Sequence, residues 1–120
     1  MNPGDRAEVT RRFSADDVEA YVSLGGARPR SGTVPEPMIA ALFSYLLGVR
    51  LPGAGTNYLK QSLEFRRAPA ISELLTAHVE VTRLRPDKAL VDLATVCVAE
   101  SGEIICTGRA LVRVKDVASA

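Results

Sequence analysis

A chain of 120 residues has the length of one ordinary domain and can bury a real but modest core. Its 47% hydrophobic and 24% charged residues are those of a soluble globular protein, and 15 basic against 14 acidic residues leave a net charge of +1, which argues against nucleic acid or an anionic membrane as partner. No apolar run reaches the ~20 residues of a bilayer span, and Met1–Arg12 lacks the apolar core of a secretion signal, so the cytoplasm is the expected compartment.

Residues Met1–Ala7 are polar, with Pro3 and Gly4, and lead into a short predicted strand at Glu8–Phe13. Ser14 then precedes Asp16, Asp17 and the spaced apolar residues Val18, Tyr21, Val22 and Leu24. A capping hydroxyl, acids where the helix dipole favours them and one apolar face together predict a helix. Gly25 and Gly26 end it. The segment Gly25–Pro37, GGARPRSGTVPEP, has no apolar period and is rich in Gly and Pro, so it reads as a surface loop of the kind that often carries function.

The rest of the chain is organised around Val34–Phe65. Pro37 suits the first helical position, where its missing N–H costs nothing, and a helix is expected to about Arg50, roughly 20 Å of rod at ~1.5 Å per residue. Between Glu36 and Arg50 there is no charged residue, and Ser44 is the one strongly polar side chain. A helix apolar all round must be wrapped by something. Leu51-Pro52-Gly53-Ala54-Gly55 stops it. From Thr56 onward the apolar period becomes two, with strands predicted at Thr56–Phe65, Leu74–Leu84, Ala89–Ala99 and Glu103–Val114, read as one long antiparallel meander.

Two turns set the register of that meander. Pro86-Asp87 suits a tight turn, and Ser101-Gly102 suits a two-residue hairpin in which Glu100 faces Glu103. Cys97 then lies opposite Cys106, and two small buried thiols in a reducing compartment are expected rather than a disulfide. Neither cysteine has a zinc spacing, and His78 is the single histidine, so no metal site is expected. His78 shares a strand face with Thr76, Glu80 and Thr82, which places it on an exposed polar face. One apolar helix against an antiparallel sheet is an α+β arrangement, and periodicity alone leaves several such layers open.

Residues 42–112 closely resemble the MaoC-like hydratases, and in particular the (R)-specific enoyl-CoA hydratases. The resemblance rests on the LPG-x-G-x-x-Y-L-x-Q-S-L-x-F segment at Leu51–Phe65, the T-A-x-V-E-V strand at Thr76–Val81 and the hairpins after it. It implies a hotdog fold, a central apolar helix wrapped by a curved antiparallel sheet, as a single domain over residues 1–120 with its core at about 8–115. It also implies an acyl-CoA or acyl-carrier-bound substrate. No cofactor is implied, because coenzyme A or phosphopantetheine enters only as part of that substrate. Such proteins pair their sheets edge to edge, so a homodimer, or a heterodimer with another hotdog subunit, is expected.

Resembling enzymes carry an Asp and a His in a G-D-x-N-P-x-H motif, because hydration must deprotonate a water while a proton reaches the carbon beside the thioester carbonyl. Laid on this chain, the motif falls on Gly25-Gly26-Ala27-Arg28-Pro29-Arg30-Ser31, so the acid becomes Gly26 and the histidine Ser31. The H-G-M segment that helps hold the thioester oxygen falls near Pro35-Glu36-Pro37. Ser44 matches the serine of the central helix. On the family pattern Asn57, Tyr58 and Gln61 face the acyl tunnel, and Ser31, in the place of the motif's histidine, is a further candidate for substrate binding. Arg28, Arg30, Arg66 and Arg67 form a basic set suited to a phosphate-rich carrier.

Three functions remain open on these residues. The first is hydration or dehydration of an enoyl or 3-hydroxyacyl thioester with a replaced acid/base set, Glu36 moving the proton and Ser44 positioning the thioester or the water. The second is a non-catalytic subunit that binds acyl thioesters or pairs with an active homologue. The third is different chemistry on the same scaffold, a thioesterase, isomerase or cyclase, since fold does not fix the reaction.

Overall fold

The computed structural model describes residues 1–114. Position 115, the last of the expected core, lies outside the described residues.

Ser14 caps helix α1 (Ala15–Ser23) reciprocally. Its hydroxyl accepts from the Asp17 amide at 3.1 Å, and the Asp17 carboxylate accepts from the Ser14 amide at 2.8 Å. Gly25, at φ 109°, turns the chain out of the helix, a conformation other residues adopt at a cost. Helix α2 (Glu36–Tyr45) begins one residue earlier than expected, with Pro35 as its cap and Pro37 in its first turn. Beyond Tyr45 the rod widens into a π-helical turn, Leu46–Arg50.

Strands β1 (Arg6–Arg11), β2 (Thr56–Phe65), β3 (Leu75–Arg85), β4 (Leu90–Ala99) and β5 (Ile104–Val114) form one antiparallel sheet in the order β1-β3-β4-β5-β2. The expected meander therefore holds only from β3 to β5. β2 pairs with β5, with Thr56 opposite Val114 and Phe65 opposite Cys106, because both sides of β3 are already taken by β1 and β4. The connection from β2 to β3 crosses the end of the sheet instead. Arg67 holds it there, bridging Glu73 at 2.5 Å and Glu103 at 2.9 Å.

The β4–β5 turn also differs from expectation. The Ala99 amide donates to the Glu103 carbonyl and the Gly102 amide to the Ala99 carbonyl, so the loop has three residues and Val98 faces Ile104. A bulge after Cys97 takes up the offset and restores Cys97 opposite Cys106, both free and buried. The Pro86-Asp87 turn is a short 3₁₀ turn, Pro86–Lys88.

The inner sheet face is apolar at Leu75, Ala77, Val79 and Val81 of β3 and at Val91 and Leu93 of β4. Ile39, Phe43, Leu46 and Leu47 of the helical rod are buried to within 1% of completely in the same core. Each such side chain contributes about 1.5–3 kcal/mol. The rod is nonetheless not wrapped on all sides. Pro37, Ala41, Ser44 and Gly48 recur on one exposed stripe, and Val49 is 60% exposed, because one sheet covers one side of a rod. Among the described residues no helix is long and apolar enough to cross a membrane.

Gly108 lies between β2 and β4, opposite Leu63 and Thr95. A Cβ there would stand 1.9 Å from the Ser62 carbonyl oxygen and 2.8 Å from Leu63 Cδ2, so Gly108→Ala has to push β2 away from β5. We expect it to cost roughly 3 kcal/mol or more, read from chemical denaturation. At Gly48 an added Cβ meets nothing within 4 Å, and Gly48→Ala is expected to be neutral or stabilising by about 0.5–1 kcal/mol. Equal denaturation midpoints for the two variants would contradict this placement of β2.

Candidate functional site

The loop between α1 and α2 is held from two sides. The Val34 amide donates to the Pro69 carbonyl and the Ile71 amide to the Gly32 carbonyl, both at 2.9 Å, which lays the loop along the β2–β3 connection. Arg28 ties it back to α1 through both oxygens of Glu19, at 2.6 and 3.1 Å. Residues 28–33 then divide two clefts. One, about 320 Å³, lies against α1 and includes Ser31, Glu19 and Ile71. The other, about 690 Å³ and open, lies at the start of α2 and includes Tyr21, Arg30, Glu36 and Arg67.

The position of the motif's acid is filled from below. A Cβ at Gly26 would stand 2.3 Å from Cε2 and Cζ of the Tyr21 ring, so no side chain fits at 26 unless that ring moves. Ser31, at the position of the motif's histidine, is exposed and lines the smaller cleft, whereas Glu36 lines the larger one. Glu36 and Ser44 are both exposed. Eight residues of helix separate them, a rise of about 12 Å, so the two do not meet over one carbon–carbon bond within a single chain.

The arginines are likewise not one set. Arg28 is committed to Glu19, and Arg67 to Glu73 and Glu103, each by charge-assisted hydrogen bonds that hold loops in place. Arg30 and Arg66 are exposed and make no ion pair among the described residues, so they are the arginines available to a phosphate. The commitment of Arg28 and Arg67 was hidden in sequence because Glu19, Glu73 and Glu103 lie on α1, the β2–β3 connection and the β4–β5 turn.

On β2 the alternation separates the three residues expected to act together. Thr56 and Tyr58 face inward, opposite buried Val114 and Val112, while Asn57 faces outward opposite exposed Arg113. A bulge after Tyr58 brings Gln61 to the inner face with it, opposite buried Ala110. The Tyr58 hydroxyl donates to Gln61 Oε1, and Gln61 Nε2 donates to Thr95 Oγ1 at 3.2 Å. Thr95 is fully buried and was not expected as part of a site. Its signal is present in sequence, as the one hydroxyl among the inward positions Val91, Leu93, Thr95, Cys97 and Ala99 of β4. Burial pushes the Tyr58 phenol up to about 12. Thr56 Oγ1, on the same strand face, is buried with no hydrogen-bond partner among the described residues. Tyr58 itself is 40% exposed. The β2 margin is thus open, and a separate hollow of about 620 Å³ lies on the outer face of the sheet around Lys60, Asp92, Arg109 and Leu111.

His78 is half-buried on the outer face, opposite Glu8 and Val96 and beside Arg6 and Glu80, and its burial holds the imidazole below its usual range. Burial likewise pushes the Cys97 thiol up to about 12 and the Cys106 thiol up to about 11.

An α-helical rod against the concave face of a five-stranded sheet in this order defines a hotdog-fold protein of α+β class. No protein-family model matches the chain. The (R)-specific enoyl-CoA hydratase of Aeromonas caviae is 35% identical over 127 residues, covering 94% of this chain and 95% of that protein. A solved structure of an (R)-hydratase from A. caviae involved in PHA biosynthesis superposes with TM-score 0.86 at 35% identity, over 95% of this chain and 97% of that one. The 3-hydroxybutyryl-CoA dehydratase of Methylorubrum extorquens is 40% identical over 75 residues, covering 62% of this chain, and the match spans about half its length, 47%. The chain belongs to the MaoC-like hotdog family, with the (R)-specific enoyl-CoA hydratases among its relatives.

Two measurements check the buried titrating groups. Neither thiol is expected to react with a thiol reagent in the native protein at mildly alkaline pH, and both to react in denaturant; rapid native labelling would contradict their burial. For His78 the folded value lies below the unfolded 6.5, so the unfolded chain binds the proton first and stability falls as pH drops below about 6.5. His78→Gln is expected to remove that part of the slope in denaturation midpoints taken from about pH 7 to 5. An unchanged slope would show that His78 does not contribute.

Proposed function

We propose that this chain binds acyl thioesters, carried on coenzyme A or on a phosphopantetheine arm, along the margin between the α2 rod and the inner face of β2. On this reading it does not by itself hydrate them as resembling enzymes do. The observation that carries it is the Tyr21 ring against Gly26: the place of the motif's acid holds no carboxylate, and one would fit there only with that ring displaced. The position of the motif's histidine is an exposed loop serine, Ser31, in a different cleft from Glu36. The inner face of β2 meanwhile keeps Tyr58 and Gln61 of the resembling segment. Its relatives' names, an enoyl-CoA hydratase and a 3-hydroxybutyryl-CoA dehydratase, supply the ligand class. Arg30 and Arg66 are free to meet its phosphates.

A single chain leaves this margin open. β2 is an edge strand with Tyr58 40% and Leu59 46% exposed, and the small-residue stripe of α2 lies uncovered. Pairing of β2 with a second hotdog subunit would cover the edge. The same chain supplies a homodimer; a related subunit that retains the acid and base would supply the chemistry this chain lacks. One domain with its core over about residues 8–115, no cofactor beyond the thioester's own carrier, and a cytoplasmic location complete the proposal.

One observation favours a second reading. Glu36 lines the larger cleft and makes no ion pair among the described residues, so hydration could run through it as a replacement acid/base. Incubation with crotonyl-CoA, following loss of the conjugated enoyl absorbance, separates the readings when combined with butyryl-CoA binding. Saturable binding without turnover is expected. Turnover abolished by Glu36→Gln would establish the second reading, turnover surviving it would contradict both, and neither binding nor turnover would contradict an acyl-thioester role.

A further inference from the structure

The turn that ends α1 folds back over Tyr21. The Gly25 amide donates to the Val22 carbonyl and the Gly26 amide to the Tyr21 carbonyl, both at 3.0 Å, which brings Gly26 against the Tyr21 side chain. Gly25 takes the left-handed conformation of this turn but Gly26 does not, so a side chain at 26 is opposed by the ring and not by its own backbone. The atoms that a Cβ there would meet first, both at 2.3 Å, are Cε2 and Cζ of Tyr21. Cζ bears the hydroxyl. The phenol oxygen is therefore one bond from an atom nearest the place where the motif's acid would begin.

The exchange alters what that place can do. An ionised carboxylate only accepts hydrogen bonds, whereas a phenol has a proton to donate. The Tyr21 hydroxyl has no hydrogen-bond partner among the described residues, and the half-buried side chain lines the open cleft of about 690 Å³ together with Arg30, Glu36 and Arg67. Arg67 and Ala68 of that cleft follow β2, and its Pro35, Glu36 and Pro37 begin α2, so the cleft lies at one end of the margin between the two elements. An acyl thioester has one strong acceptor at its acyl end, the carbonyl oxygen, and a carbonyl oxygen brings no proton of its own. Donor and acceptor are matched without breaking any bond that the protein already makes.

Resting on the reading that this margin binds acyl thioesters, we propose that the Tyr21 hydroxyl donates a hydrogen bond to the thioester carbonyl oxygen, from the place where resembling enzymes carry their acid. Tyr21 is thus a binding residue supplied by α1, and the α1 turn sets its position by bringing a residue without a side chain against the ring. The contact moves no proton. It recognises the thioester group itself, whatever the acyl chain carries beyond it.

Calorimetric titration with two probes tests this, butyryl-CoA and its thioether S-butyl-CoA, which share every group of the carrier arm and differ by the thioester carbonyl. The native protein is expected to bind butyryl-CoA about 5–10-fold more tightly, the worth of one ordinary net hydrogen bond. Tyr21→Phe keeps the ring against Gly26 and removes only the hydroxyl. In it the two probes are expected to bind alike, with affinity for S-butyl-CoA unchanged and the native denaturation midpoint retained within error. Gly26→Ala keeps the hydroxyl but displaces the ring, and is expected to lose the preference too. Equal binding by the native protein, or a preference that persists in Tyr21→Phe, would overturn the proposal. So would an equal loss for both probes in Tyr21→Phe, which would assign the hydroxyl to the carrier arm, or a preference retained in Gly26→Ala, which would show that the hydroxyl does not act from this place. Those results leave acyl-thioester binding standing. Failure of both probes to bind the native protein would overturn this inference together with the reading beneath it.

Discussion

Burial of the α2 rod against the inner face of the sheet is the constraint on which the rest of the structure depends. Ile39, Phe43, Leu46 and Leu47 are removed from water almost completely, and Leu75, Val79, Val81 and Leu93 form the surface that receives them. Four such side chains at about 1.5–3 kcal/mol each make this the dominant favourable contribution of the rod. The sheet order follows from the same contact. β4 lies at the centre of the sheet between β3 and β5, β1 closes one side on β3 and β2 the other on β5, and the β2 margin is left with a hydroxyl and an amide facing inward. A fold held this way tolerates change at its loops, since their residues contribute little to the packed face.

That tolerance is visible between α1 and α2. The loop is short, stitched by backbone bonds to the β2–β3 connection and clamped by Arg28 on Glu19, and it presents Tyr21 against Gly26 where resembling enzymes place an acid. Arg67 joins Glu73 and Glu103 in a cluster that ties a strand connection to a hairpin turn, a structural use of charge in a region that would otherwise suit a phosphate. The inner face of β2 shows the opposite pattern. Gln61 has every hydrogen bond satisfied, to Tyr58, Thr95 and two strand carbonyls, as a polar group at the edge of a core must.

Much of this was legible in the sequence, for identifiable reasons. Ser14 with Asp16 and Asp17 marked α1 because an N-cap and first-turn acids are local signals, and the strands from Thr56 onward were marked by a period of two, which burial on one face imposes. Strand order was not legible. Whether β2 pairs with β3 or β5 depends on which edges are free after β1 has docked, which is a long-range fact. The Cys97–Cys106 pairing was reached from a two-residue turn, whereas the chain makes a three-residue loop and a bulge whose offsets cancel. The charge-free run of α2 gave its burial but not its exposed stripe, because small apolar residues read alike whether they face a core or solvent. At the site, that Gly26 stands where the motif would put an acid follows from the sequence, whereas the Tyr21 ring lying against it does not. Asn57 was grouped with Tyr58 and Gln61, and only the bulge after Tyr58 shows which of the three share a face.

The most direct measurement is a crystal structure of the protein grown with S-butyl-CoA. The acyl chain is expected along the β2 margin, with carbon atoms within about 4 Å of the Tyr58 ring, and the Tyr21 ring still against Gly26. An acyl chain seated instead in the cleft lined by Ser31 and Glu19, or a Tyr21 ring swung away so that Gly26 opens to the ligand, would contradict the proposal that this chain binds acyl thioesters without hydrating them.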